Sequence, residues 1–187
     1  MSNKKFMVKC ITALMLCLIG LASCRDKIPT NEIHYTTIDN SVLPIKDLFY
    51  FGVGRIVSNS YDPDKNVCIL KLDKDVTEIG KETFCDCSSL TSITFPPSVT
   101  KIGKKTFYGC SSLTSITIPQ SVTKIGGMAF SDCSSLTSIS IPPSVKVIGN
   151  RAFLGCSSLT SISIPKGCQV AIDAFNCCPK NLVITQY

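Results

Sequence analysis

Cys87-Ser88-Ser89-Leu90-Thr91-Ser92-Ile93 returns unchanged from Cys110, Cys133 and Cys156, a strict period of 23 residues. Each copy heads a longer unit: Leu-Thr-Ser-Ile, then Thr or Ser, Ile or Phe and Pro, followed by Ser-Val, Ile-Gly, Phe and the next Cys. Repeats of this length mark a solenoid, in which a lone unit cannot bury its apolar face and stacking supplies the core. Leu90, Ile93 and Phe95 fall on one face of a short strand, and Ser92 and Thr94 on the other. Pro96 and Pro97 end it, because proline cannot donate to a ladder. Val99 and Ile102 point inward from a second extended piece, closed by Gly103 at a left-handed or tight backbone position. Lys104 to Phe107 read as a helical turn that carries Phe107 inside. Phe84, Phe130, Phe153 and Phe175 fill the same slot, which predicts an aromatic stack. Strands at Ser92–Phe95, Ser115–Ile118, Ser138–Ile141 and Ser161–Ile164 are expected to run parallel in one continuous sheet.

The unit resembles the BspA-like class of leucine-rich repeats that bacteria display on their surfaces. The matching residues are Leu113-Thr114-Ser115-Ile116-Thr117-Ile118-Pro119, Ser121-Val122-Thr123-Lys124-Ile125-Gly126, Ala129-Phe130 and Cys133. A partial earlier unit carries Leu70, Leu72, Val76, Ile79, Gly80 and Phe84 in register. The unit from Pro165 to Phe175 is one residue short, and Leu182-Val183-Ile184-Thr185 is expected as the last strand. The resemblance covers residues 69–187. It implies a leucine-rich-repeat solenoid, mostly β with short helical turns, and adhesion or protein recognition, with several members binding host matrix proteins.

Ahead of the repeats, residues 1–23 read as a leader. Lys4, Lys5 and Lys9 precede an apolar run from Ile11 to Leu21, too short for a comfortable membrane span. Leu21-Ala22-Ser23-Cys24 resembles the lipobox of bacterial lipoproteins, which implies that Cys24 becomes a lipidated N-terminus. The resemblance implies a lipid-anchored chain of the bacterial cell envelope, with attachment to the outer membrane and exposure at the surface as the expectation. Residues 24–68 read as a tether and an N-terminal β cap. Ile33–Ile38 has strand character, and Arg55–Tyr61 and Val67–Leu72 flank a five-residue hairpin loop. A solenoid end needs such a cap to cover apolar core and an unpaired strand edge.

Without the leader the chain has sixteen bases and thirteen acids, a net of +3, which does not suggest nucleic acid. Residues 84–187 hold eight bases and only Asp86, Asp132 and Asp173, so the repeat surface is weakly basic and favours acidic partners modestly. Cys87, Cys110, Cys133 and Cys156 share one repeat position. Parallel side chains fit a disulfide poorly, so they read as buried free thiols. Neither Cys85-x-Cys87 nor Cys177-Cys178 has the paired spacing of a zinc module. The repeats contain no His, and no general base accompanies the many hydroxyls. The expectation is a protein without catalysis, cofactor or metal.

The candidate binding surface is the outer face of the strands. Ser92, Thr94, Ser115, Thr117, Ser138, Ser140, Ser161 and Ser163 are expected to form two hydroxyl ladders, rich in donors and acceptors but offering no Tyr, Trp or Arg. The partner on this reading is a protein, either a host extracellular matrix component or another envelope protein. The alternative is a structural scaffold or glycan-binding subunit of a surface lipoprotein assembly.

Overall fold

A computed structural model describes residues 29–45 and 55–187; the leader, Cys24 and residues 46–54 lie outside the described residues. The order begins with β1 (Glu32–Thr37), β2 (Ile56–Asp62) and β3 (Val67–Leu72). Each following turn carries two strands. They are β4 (Glu78–Ile79) and β5 (Leu90–Thr94), β6 (Lys101–Ile102) and β7 (Ser115–Ile116), then β8 (Lys124–Ile125) and β9 (Ser138–Ser140). The last turns carry β10 (Val147–Ile148) and β11 (Ser161–Ile164), then β12 (Gln169–Val170) and β13 (Val183–Gln186).

The even-numbered strands from β4 to β12 make one unbroken parallel sheet, with Ile79, Ile102, Ile125, Ile148 and Val170 in register. The odd-numbered strands do not form the single sheet that the repeat leads one to expect. β5 and β7 are parallel, as are β9, β11 and β13, but no ladder joins β7 to β9. The departing residue is Ile116, half-buried where Ile93, Ile139 and Ile162 are buried. The last strand is shifted one residue on from Leu182–Thr185, and pairs Val183 with Ser161 at an offset of 22.

The expected hairpin is β2–β3, antiparallel with a turn at Pro63–Asn66. Asp62 pairs with Val67, and its Oδ1 accepts the amides of Asp64 and Lys65. Leu70 and Leu72 lie on β3 and face the core. β1 enters between β3 and β5, antiparallel to both, and so covers the edge of the first repeat strand. Tyr35 on β1 anchors this region. Its hydroxyl donates to Asn59 Oδ1 at 2.7 Å and accepts the Leu43 amide at 3.0 Å.

The turns after the glycines are not helical, and no helix occurs among the described residues. Their second residue takes positive φ in four successive turns: Glu82 at 61°, Lys105 at 55°, Met128 at 56° and Arg151 at 56°. A left-handed residue at this point stops a right-handed helix from propagating. The phenylalanines nevertheless stack as expected. Phe84, Phe107, Phe130, Phe153 and Phe175 lie ring over ring with centroids 5.2–5.5 Å apart and planes within 11°. Phe95 packs on Phe107 at a tilt of 53°.

Beside this stack runs a column of free thiols. Cys110, Cys133 and Cys156 are fully buried, and each Sγ donates to a phenylalanine carbonyl of the preceding turn: Phe84 at 3.1 Å, Phe107 at 3.2 Å and Phe130 at 3.1 Å. Cys87 is only half-buried, contrary to expectation; it lines a cavity together with Leu43, Pro44 and Ile45. Cys178 extends the column, donating to Phe153 O at 3.1 Å across the short unit. The residues just before these cysteines alternate Asp86, Gly109, Asp132, Gly155, all at positive φ. A Cβ at Gly109 or Gly155 would run into Oδ1 of the aspartate one turn below. The alternation is therefore a packing pattern between turns, with no carboxylate pair.

Desolvation pushes the Cys110 and Cys133 thiols far above their ordinary value of 9.0, and Cys156 up to about 12. Unfolded thiols would ionise near 9 while these stay protonated. Their contribution is therefore complete below pH 9 and lost as pH rises toward 12, by about 1.4 kcal/mol per unit for each thiol. Thermal melts followed by circular dichroism should show the melting temperature falling throughout that window. A level melting temperature across it would contradict this account of the thiol column.

Candidate functional site on the strand face

Strand alternation sends the buried side chains of β5, β9 and β11 inward and leaves hydroxyls outside. Ser92 is the register partner of Ser115, Ser138 of Ser161, and Ser140 of Ser163, which continues to Thr185 on β13. The predicted residues thus form two blocks on either side of the seam between β7 and β9. Thr94, Ser115, Thr117, Ser138, Ser140 and Ser161 are exposed, whereas Ser92 and Ser163 are half-buried.

The hydroxyls of the chain divide into two kinds. One kind holds the turns together. Ser98, Ser121 and Ser144 donate to Val76, Val99 and Val122 carbonyls one turn back. Thr114 and Thr160 do the same to Thr91 and Thr137 carbonyls, 23 residues earlier. The other kind is uncommitted: the hydroxyls of Thr94, Ser115, Thr117, Ser138, Ser140, Ser161 and Ser163 make no hydrogen bond to protein among the described residues. Ser92 is the exception on this face, since the Thr36 hydroxyl contacts both Ser92 Oγ and Thr91 Oγ1 at 2.7 Å and ties β1 to the ladder.

The seam itself is a cleft of about 170 Å³ lined by Ile116, Thr117, Ile118, Gln120, Ser140, Pro142 and Tyr187. Tyr187 corrects the expectation that the face lacks an aromatic side chain. It is half-exposed, and its hydroxyl donates to the Ile141 carbonyl. Its backbone is fixed to the neighbouring turn by Tyr187 N to Ile164 O at 3.2 Å and Lys166 N to Tyr187 O at 2.9 Å. The cleft brings Thr117 and Ser140, from different turns, together with a rigid amphipathic ring and the half-buried Ile116. Neither Tyr187 nor Ile116 stood out in the sequence: Tyr187 follows β13 at the position where Pro165 follows β11, and Ile116 is identical to its buried counterparts. A larger cavity of about 510 Å³ lies at Leu43–Ile45 and Glu82–Ser89, but it borders the undescribed residues and defines no closed site.

Parallel strands stacked at a leucine-rich period, with an aromatic column inside and an open polar face outside, define a leucine-rich-repeat solenoid. The chain belongs to the BspA-type leucine-rich repeat family, whose model matches residues 55–182 in six copies. It resembles the solved structure of a leucine-rich cell surface protein from Faecalibacterium prausnitzii at 33% identity, with a TM-score of 0.58, over 60% of this chain and 30% of that one. It also resembles a leucine-rich repeat protein from Bacteroides ovatus at 36% identity, with a TM-score of 0.55, over 69% of this chain and 32% of that one. The chain thus spans about a third of the length of these relatives. No curated protein matches it.

Proposed function

We propose that this chain is a lipid-anchored, non-catalytic protein of the bacterial cell envelope that binds an extended protein ligand across its strand face. The observation that carries the reading is the set of uncommitted hydroxyls. Ten Ser and Thr side chains of the turns donate to carbonyls of the preceding turn, while the strand-face set lies together on one open face and offers donors and acceptors to a partner. A neighbouring aromatic ring at the seam adds apolar contact of the kind that protein interfaces favour. The family match and the cell-surface relative support a role in recognition at the envelope. A host matrix protein or another envelope protein fits equally well as the ligand. Cys24 is the proposed point of lipid attachment, and two or three acyl chains would anchor the chain stably.

Two experiments test this reading. Cys24→Ala should prevent maturation and release the protein from membrane fractions, scored by fractionation and by the mass of the mature N-terminus. Unchanged partitioning and an unchanged N-terminal mass would remove the anchor from the account. For the face, proteins captured by residues 25–187 from matrix and envelope extracts are compared with those captured by a Thr117→Glu/Ser140→Glu double variant. Both positions are exposed, so the fold should survive. Each lost hydrogen bond removes about 0.5–1.5 kcal/mol, and two buried charges in the cleft add to that, so capture should fall by tenfold or more, roughly. Equal capture by the folded variant would move the site off this face and favour the scaffold reading.

A further inference from the structure

A second surface, on the unbroken parallel sheet, gathers five lysines of the repeat region. Lys101 on β6 and Lys124 on β8 are direct register partners on adjacent parallel strands, so their backbones lie about 4.8 Å apart. Lys81 and Lys104 follow β4 and β6 at one repeat position, and Lys146 stands just ahead of β10. Like charges directly across a ladder repel. One is relieved, because Lys101 Nζ lies 2.6 Å from Glu78 Oε1. Lys81 reaches Glu82 at 3.5 Å. Lys104, Lys124 and Lys146 have no carboxylate partner among the described residues.

Between these lysines lies a cleft of about 300 Å³, lined by Glu78, Lys81, Lys101, Lys104 and Lys124 around a floor of Gly103, Gly126 and Gly127. The floor bears no side chain that would stand between these lysines and a ligand. No aromatic or large apolar side chain lines the cleft, so it lacks the anchors that a protein interface relies on. Ammonium groups gathered around a floor without side chains fit anionic oxygens. Their spacing over three successive turns fits a chain that carries several such groups close together.

We propose that this cleft is a binding site for a densely sulfated polysaccharide, laid along the solenoid axis across Lys81, Lys101, Lys104 and Lys124. The site is separate from the strand face and does not depend on the protein ligand proposed there. Binding rests on several weak, screened charge pairs, so it should be strong at low salt and fall steeply as salt rises.

The test uses the full chain and a fluorescently labelled heparin oligosaccharide, titrated by anisotropy at low and high salt. Lys104→Gln/Lys124→Gln should weaken binding about tenfold at low salt and flatten its salt dependence. Lys65→Gln/Lys74→Gln removes the same charge from exposed positions in the β2–β3 turn and just after β3 and should change binding by less than about twofold. The Thr117→Glu/Ser140→Glu variant should bind the oligosaccharide at least half as well as the unmodified chain, which separates this site from the strand-face reading. Equal losses in the two lysine pairs would mean that only net charge matters and would overturn the proposal. So would unchanged binding in Lys104→Gln/Lys124→Gln. A poly-glutamate peptide that displaces the oligosaccharide at matched charge would replace the polysaccharide with an acidic protein segment.

Discussion

Successive turns of this solenoid touch backbone to backbone, and the rest of the structure depends on that contact. A Cβ built on Gly126 would lie 2.5 Å from the Gly103 carbonyl carbon, and one on Gly103 would lie 2.6 Å from that of Gly80. No side chain fits there, and backbone atoms cannot move aside as a flexible side chain can. The glycines are needed for this close approach, since φ at Gly103 and Gly126 lies outside the left-handed range. With the turns held at this distance, everything else in the unit repeats at the same spacing. The phenylalanine rings stack, each thiol reaches a carbonyl one turn back, and serine and threonine hydroxyls reach others. A change in spacing would disturb all three columns together.

The same stacking explains where free binding capacity remains. Along the turns that bear Ser98, Ser121 and Ser144, hydroxyls are used to fasten one coil to the next. On the strand face the ladder carries out that task through backbone bonds, so the hydroxyls there stay uncommitted. Where the ladder lapses between β7 and β9 the coils remain joined by other bonds, including Phe107 N to Ala129 O at 2.7 Å and Gly126 N to Ile102 O at 2.9 Å. The seam is therefore a local opening in a stack that is continuous elsewhere. It places Ile116, Thr117, Ser140 and Tyr187 around one cleft.

Features fixed by the period were legible in the sequence. The parallel strands, the phenylalanine stack, the buried thiols and the β2–β3 hairpin all follow from apolar residues recurring at a constant interval or from local turn chemistry. Features that depend on one turn differing from its neighbours were not. The lapse at Ile116 follows a Cys-Ser-Ser-Leu-Thr-Ser-Ile run identical in all four copies, and from Cys110 to Gly126 only Gln120, where the adjacent units have Pro97 and Pro143, sets this turn apart from both neighbours. Cys178 looks irregular until the short unit brings it under Phe153. The helical turn after each glycine was misread because Lys105 and Arg151 give no sequence signal for positive φ. The entry of β1 between β3 and β5 is a long-range pairing that local pattern does not encode. Of the candidate site, the hydroxyl positions were readable from alternation, but the aromatic member of the cleft was not, because Tyr187 stands where the other units have proline.

The most direct test of the central claim compares urea unfolding of Gly126→Ala with that of Gly127→Ala. These are adjacent residues with the same chemical change. A Cβ at Gly126 meets backbone at 2.5 Å, whereas one at Gly127 comes no nearer than 3.2 Å, to the Asn150 carbonyl oxygen. If close contact between turns holds the structure, Gly126→Ala should lower stability by about 1–3 kcal/mol or more, and Gly127→Ala by much less. Equal stability of the two variants, at the level of the unmodified chain, would contradict it.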